Sequence, residues 1–231
     1  MEYRDNDTGE HTLRVAKYSR IIAEELGLSP RLCRDIYLAA PLHDVGKVAI
    51  PDGILLKPGK LDGDEMAIIR THAAIGGRIL ADSHCELIQL GAIIAGNHHE
   101  RWDGSGYPNG LKQLEIPIAA RIVTVADVFD ALTTKRPYKE AMPLLKAREY
   151  LEDKKEIEFD PACVDAFLSR WDEIVEICAA QNVTPSRKPD ASALPIVIEL
   201  PVESLDTSTL AEDCPSSCQS HQKSRLTDPV G

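Results

Sequence analysis

Two stretches constrain this chain more than any other: His43-Asp44-Val45-Gly46-Lys47, and His98-His99-Glu100-Arg101-Trp102-Asp103-Gly104-Ser105-Gly106-Tyr107-Pro108. Each sets adjacent titratable side chains in apolar, helix-like surroundings. Burying several such groups is costly unless something pairs with them, and a metal ion is the obvious partner. The remaining sequence then serves as the frame that holds these pairs together.

That frame is helical. Val15, Tyr18, Ile22 and Leu26 form an apolar stripe at helical spacing, and Gly27 can end it. Ser29 as N-cap and Pro30 at the first helical position open a second helix, which is expected to run through Leu32, Ile36 and Ala39 to His43 and to close at Gly46. Breakers from Ile50 to Lys60 mark a loop. Asp62 and Glu65 have capping-box spacing ahead of a helix with Met66, Ile69, His72, Ile75 and Ile79. Another helix is expected from about Glu86 to His98. Gly104, Gly106, Gly110, Pro108 and Pro117 make the next stretch a loop. Ile118, Ile122, Val125, Phe129 and Leu132 start the following helix. Two more are expected, from Leu144 to Lys154 and from Asp160-Pro161 to Cys178, the latter with an Asp cap. No strand alternation appears before residue 190, and Ile196-Val197-Ile198 is the one candidate strand. The expected fold class is all-α: a compact multi-helix domain over residues 7–182.

Beyond it, residues 183–231 are rich in Pro, Ser and acidic side chains and poor in aromatics. Such a segment cannot bury enough apolar surface to order itself, so a disordered or weakly structured tail is expected. In it, Cys214, Cys218 and His221 offer three metal donors without a fourth and read as incidental. The net charge of −11 argues against general nucleic-acid binding, which needs a basic surface. It does not exclude a small anionic substrate, because bound metal ions reverse the local sign. No apolar run approaches the roughly 20 residues of a membrane helix. The six cysteines are scattered, as free thiols of a reducing compartment would be, and a cytoplasmic location is the default expectation.

Five of the seven histidines, His11, His43, His72, His98 and His99, lie near helix ends or on apolar faces. A single histidine so placed is more often a satisfied core residue than a ligand. Five, joined by Asp44 and Asp127, change the odds. Imidazole and carboxylate are the donor set of zinc, iron, manganese and nickel. Asp44 is the natural bridge between two ions, and two ions about 3.5–4 Å apart form a hydrolytic centre. Lys47, three residues on, has two readings: a phosphate-binding or proton-donating ammonium, or a solvated lysine at a helix C-terminus. Glu100 is either an orienting carboxylate behind a ligand histidine or a loop residue, and Asp130 stands the same way beside Asp127.

These residues carry a resemblance. His11, His43-Asp44 and Asp127 follow the H…HD…D order of the HD phosphohydrolase superfamily. With HDVGK at 43–47, IPDGILLKPGKL at 50–61, His72, HHERWDGSGYPNGL at 98–111, Ile116-Pro117 and DVFDALTTKRPYK at 127–139, residues 7–170 resemble the HD-GYP domain. The resemblance implies a metal-dependent phosphodiesterase that hydrolyses cyclic di-GMP to linear pGpG, and in many members to GMP, by in-line attack of a metal-bridging hydroxide. It implies metal ligation by His11, His43, Asp44, His72, His98, His99 and Asp127, and catalysis at Asp44 and Lys47. It implies nucleotide contacts by Lys47, Tyr107, Arg136 and Lys139. Iron or manganese is the implied metal, with nickel and zinc as the other fits. Some members hold a third metal on a Glu four residues before the first histidine. The shorter Asp7 stands there, which favours two ions. Where members place a glycine shortly after the loop, Lys112-Gln113-Leu114 stands instead. The start resembles the end of a connecting helix, so either a truncated chain or a stand-alone domain is expected.

Two alternatives remain at this point. One is an HD phosphohydrolase for another cyclic or linear nucleotide. The other is a catalytically weak regulatory module that binds diguanylate cyclases (GGDEF proteins) through the GYP loop. The sequence gives no oligomeric state.

Overall fold

The apolar stripe of the first helix, α1 (Gly9–Glu25), is buried as its spacing predicts: Val15, Tyr18 and Ile22 are fully enclosed. The structure, a computed structural model, describes residues 9–135 and 140–180. Asp7, Arg136, Lys139, the candidate strand at 196–198 and the whole 183–231 tail lie outside the described residues.

In α2 (Pro30–Ala39), the Ser29 hydroxyl accepts from the Leu32 amide. This helix stops earlier than its periodicity predicts. Pro41 has no amide hydrogen to continue the ladder, and the chain goes on as two tight turns, Ala40–Leu42 and Val45–Ala49. His43 and Asp44 sit at the joint between them rather than inside a helix. A short helix, α3 (Asp52–Leu55), lies within the stretch expected as loop. The capping box that opens α4 (Gly63–Ala81) forms as expected: Asp62 Oδ1 accepts from Glu65 N at 2.9 Å, and Glu65 Oε2 from Asp62 N at 3.0 Å.

α5 (Glu86–Asn97) packs on α4, and α6 (Ile118–Thr133) runs through the middle of the molecule. Ala119, Ala120, Ile122, Val123, Val125, Ala126, Phe129 and Leu132 of α6 are all buried. A helix apolar on most of its circumference belongs inside. α1, α5, α7 (Leu144–Asp153) and α8 (Pro161–Ser169) pack around it. Phe129 is the hub of the core, edge-on to Tyr18 (5.5 Å), Phe167 (4.8 Å) and Trp171 (5.9 Å). Fully burying one such side chain stabilises by about 1.5–3 kcal/mol.

The last expected helix is broken in two, α8 and α9 (Trp171–Ala179), by Arg170 at φ −104°, ψ 30°. Periodicity does not register this break, because buried or packed apolar residues continue on both sides (Phe167, Trp171, Ile174). Among the described residues there is no strand, only an isolated bridge between Lys155 and Phe159, so the all-α expectation holds. Among those residues no helix is long and apolar enough to cross a membrane.

Candidate metal centre

Three histidines reach the interior by the same local device. His43 follows the first tight turn, His72 lies on α4, and His98 caps α5. Each Nδ1 faces the carbonyl three residues back: Ala40 O at 2.8 Å, Ile69 O at 2.7 Å and Ala95 O at 3.0 Å. A carbonyl only accepts, so Nδ1 carries the proton and Nε2 presents its lone pair inward. This is the outer hydrogen bond that orients metal-ligating histidines. All three rings are buried.

Asp44 stands where these lone pairs point. Its Oδ2 is 3.2 Å from His43 Nε2, and its Oδ1 is 3.1 Å from His72 Nε2 and 3.6 Å from His98 Nε2. Asp44, His72, His98 and His99 each bring a donor atom within 4.8 Å of the others, and His11, His43 and Asp127 form a second such group. Asp127 Oδ1 is 3.6 Å from His11 Nε2 and 3.9 Å from His43 Nε2. The two oxygens of Asp44 therefore face the two groups separately, as a bridging carboxylate would.

The donor set fits a cation. His43 Nε2, His98 Nε2 and Asp44 Oδ1 are buried and make no hydrogen bond within the protein. Buried acceptors facing one another are costly unless positive charge lies between them. The electrostatics agree. Burial opposes charge on His43, but Asp44 and Asp127 outweigh it and push its pKa up to about 9, so near pH 7 a proton on Nε2 supplies that positive charge until a metal ion displaces it. Burial would raise Asp44, yet His43, His72 and His98 hold it well below the usual carboxylate range. Burial pushes His98 and His99 down, with the neighbouring histidines adding to it, so both are neutral and ready to donate a lone pair near pH 7.

The second group has a different support. His11 Nδ1 donates to Asp130 Oδ2 at 2.7 Å, and Arg14 grips the same carboxylate from Nε (2.6 Å) and Nη2 (2.9 Å). Asp130 is fully buried, so this fork keeps an otherwise isolated charge compensated. Of the two sequence readings of Asp130, the structure shows the one behind a histidine. Arg14 escaped the sequence reading, although its place three residues after His11, within a buried stripe, was the available signal. Thr124 also escaped it: its hydroxyl meets His98 O (2.7 Å) and Ala120 O (2.8 Å), tying the end of α5 to α6.

Lys47 lies with its Nζ 2.6 Å from Asp44 Oδ2 and its side chain largely buried, so it is a neighbour of the cluster and not a solvated lysine. Glu100 is buried and orients no histidine: its carboxylate accepts from Asn109 N (2.7 Å) and Leu111 N (3.1 Å), and so holds the glycine-rich loop. Tyr107 stacks on His99 at 4.7 Å and 23°.

Residues 2–163 match the HD domain family. This chain belongs to it. The HD resemblance drawn from the motifs holds. Among curated relatives, the chain is 51% identical over 189 residues to the cyclic di-GMP phosphodiesterase response regulator RpfG of Xanthomonas campestris, covering 82% of this chain and 50% of that protein. It is 52% identical over 176 residues to a cyclic di-GMP phosphodiesterase of Thermotoga maritima (76% and 48%). It is 48% identical over 180 residues to 3'3'-cGAMP-specific phosphodiesterase 2 of Vibrio cholerae (78% and 34%). The chain thus spans about half the length of the first two of these relatives. Two solved structures share the HD fold. One is an HDG"Y"P protein of Bdellovibrio bacteriovorus (TM-score 0.57, 22% identity, 74% of this chain and 55% of that chain). The other is the cyclic GMP-AMP specific phosphodiesterase V-cGAP3 of Vibrio cholerae (0.58, 19%, 78% and 49%).

Proposed function

We propose that this HD domain is a metal-dependent phosphodiesterase that hydrolyses cyclic di-GMP to linear pGpG and onward to GMP. One observation carries the reading: the Asp44 carboxylate lies between two histidine groups, one oxygen toward each. The names of the 51–52% identical relatives support the substrate class. His72, His98, His99 and Asp44 would hold one ion, and His11, His43, Asp127 and Asp44 the other. Asp7 would matter only for a third, and two ions are the reading preferred here. Iron or manganese is proposed; nickel and zinc suit the same nitrogen and oxygen donors. Bound divalent ions supply Lewis-acid polarisation of a phosphoryl oxygen and acidify water.

The protein's own groups then have definite tasks. Hydrolysis forms a bond from a water oxygen to phosphorus and breaks the bond to the 3′-oxygen, which leaves protonated. The Lys47 ammonium, beside Asp44, would meet a phosphate oxygen and compensate charge gathered there. Arg136 and Lys139 are proposed as nucleotide contacts; Tyr107, which the resemblance adds to them, has its ring stacked on His99. The GYP loop keeps Asp103, Ser105, Pro108 and Asn109 exposed, which suits the proposed docking of a GGDEF protein. Four free thiols among the described residues suit the cytoplasm.

A second reading takes a cyclic GMP-AMP dinucleotide as substrate, and the 48% identity to a relative of that specificity favours it. The test is turnover of both dinucleotides and of linear nucleotides by metal-loaded protein, with Asp44→Ala beside the wild type. Cyclic di-GMP should be the fastest substrate, and Asp44→Ala should be inactive and short of metal. Wild-type turnover by Asp44→Ala would end the proposal.

A further inference from the structure

We infer that Tyr107, backed by Arg70, is a positioning residue for His99. This rests on reading Asp44, His72, His98 and His99 as a metal site. His43, His72 and His98 are aimed by backbone carbonyls; His99 carries a flat ring on its face, the Tyr107 phenol, at 4.7 Å and 23°. An offset aromatic stack restrains the tilt of an imidazole and hence the direction of its lone pairs.

The loop holds that phenol in place from both sides. Before it, Gly106 lies so close to the chain that a Cβ there would be 2.3 Å from Arg101 N and 2.6 Å from both Glu100 Cα and His99 O. Only glycine permits this approach. At Tyr107 itself, the amide donates to His99 O at 3.2 Å. After it, the buried Glu100 carboxylate accepts from Asn109 N and Leu111 N. The loop is thus fastened to His99-Glu100-Arg101, the segment that follows α5, and the ring has a fixed base from which to press on His99.

Arg70 completes the arrangement. It lies on α4 two residues before His72, and its guanidinium carbon is 5.2 Å over the Tyr107 ring. Arg70 and Tyr107 both line a groove of about 810 Å³ between α4 and α5, in which His99 has no part. The guanidinium therefore meets the phenol from the groove, as a cation–π contact. One helix delivers His72 to the cluster and Arg70 to the ring that steadies His99. A nucleotide base could stack on Tyr107 from the groove only by displacing Arg70. That is why the ring is assigned to the protein's own histidine.

The test is Mn²⁺ binding by calorimetry and elemental analysis on the full chain, beside steady-state kinetics at saturating Mn²⁺. Wild-type protein should bind two ions. Tyr107→Leu should keep one and bind the other roughly 10–100-fold more weakly, as loss of an outer-sphere support does. Its KM for cyclic di-GMP should stay put, and its kcat should recover as Mn²⁺ is raised. Tyr107→Phe keeps the ring and should match the wild type. Arg70→Ala should fall between. If Tyr107→Leu binds both ions normally and raises KM, Tyr107 contacts substrate and the inference is wrong. If Tyr107→Leu does not fold, wild-type metal affinity in Arg70→Ala, or Leu-like weakening in Tyr107→Phe, overturns it. Wild-type protein that binds no ion would overturn the metal-site reading, and this inference with it.

Discussion

Gly46→Ala is the sharpest perturbation of this site that replaces no proposed ligand. A Cβ at residue 46 would lie 2.0 Å from His72 O, 2.5 Å from Gly76 N and 2.9 Å from His72 C. All three are backbone atoms, so no rotamer change relieves the clash. Ordinary contact begins near 3.4 Å, so the turn at Val45–Ala49 must part from α4 by about 1.4 Å. Asp44 is two residues from the clash on one side, and His72 is the other side. Taken up along their 3.1 Å contact, the shift sends Asp44 Oδ1 and His72 Nε2 to about 4.5 Å. Two donors on one ion, each bonded at about 2.0–2.2 Å, can be no more than about 4.4 Å apart, so the pair reaches the limit of sharing it. Overpacking of this kind costs about 1–3 kcal/mol, which for a domain of this size lowers Tm by roughly 2–4 °C per kcal/mol. Gly46→Ala should therefore melt several degrees early, lose metal from the His72 group, and turn over about 100-fold more slowly. Thermal melting, elemental analysis and cyclic di-GMP hydrolysis measure the three effects. Gly96→Ala is the control: its Cβ would meet Gly77 Cα at 3.8 Å, an ordinary contact, so its stability should match or exceed wild type. Normal melting and full metal in Gly46→Ala would refute the close-approach argument.

Three further outcomes are expected. Arg14→Ala strands the buried Asp130 carboxylate and should cost about 3–5 kcal/mol in urea denaturation, since breaking a buried pair leaves an uncompensated charge; an unchanged midpoint would contradict this. Burial pushes the acids Tyr18, Cys163 and Cys178 above their ordinary values of 10.0 and 9.0, with the Tyr18–Cys178 contact adding to the rise at Tyr18. The folded chain keeps these protons where the unfolded chain has lost them, so stability should decline as pH rises above about 9; urea midpoints that stay level from pH 8 to 10 would show the burial argument wrong. Chelation of metal-loaded protein should lower Tm by an amount that depends on free-ion concentration, while helical circular dichroism at 25 °C persists because the Phe129 core lies on apolar packing; a chelated protein that unfolds at 25 °C would place the core's stability in the metal.

Much of the frame was legible in the chain because its signals are local. Ser29, Pro30, the Asp62–Glu65 box and the 3.6-residue stripes each act within a few residues, and the helices begin where they say. The misses are of two kinds. Periodicity carries over a tight turn when apolar residues stand on both sides, so the stop at Pro41 and the break at Arg170 were hidden. Pairings across long separations leave no local trace: Asp130 meets His11 and Arg14 from 119 and 116 residues away. The histidines and aspartates were conspicuous as residues, whereas their sorting into two groups around Asp44 needed the three-dimensional arrangement. Glu100 was ambiguous for a related reason, since its partners are main-chain amides of a loop whose path no side chain announces.

The carbonyls behind His43, His72 and His98 also bear on how this domain can change over generations. A main-chain oxygen is present whatever the codon, so no point mutation deletes the group that sets these three tautomers. His11 relies on the Asp130 side chain, which one nucleotide change can remove. Inherited loss of the hydrogen bond behind a ligand should therefore collect on the His11 side, at Asp130 and Arg14, whereas around the other three it takes a steric change, such as one at Gly46, to move a ring.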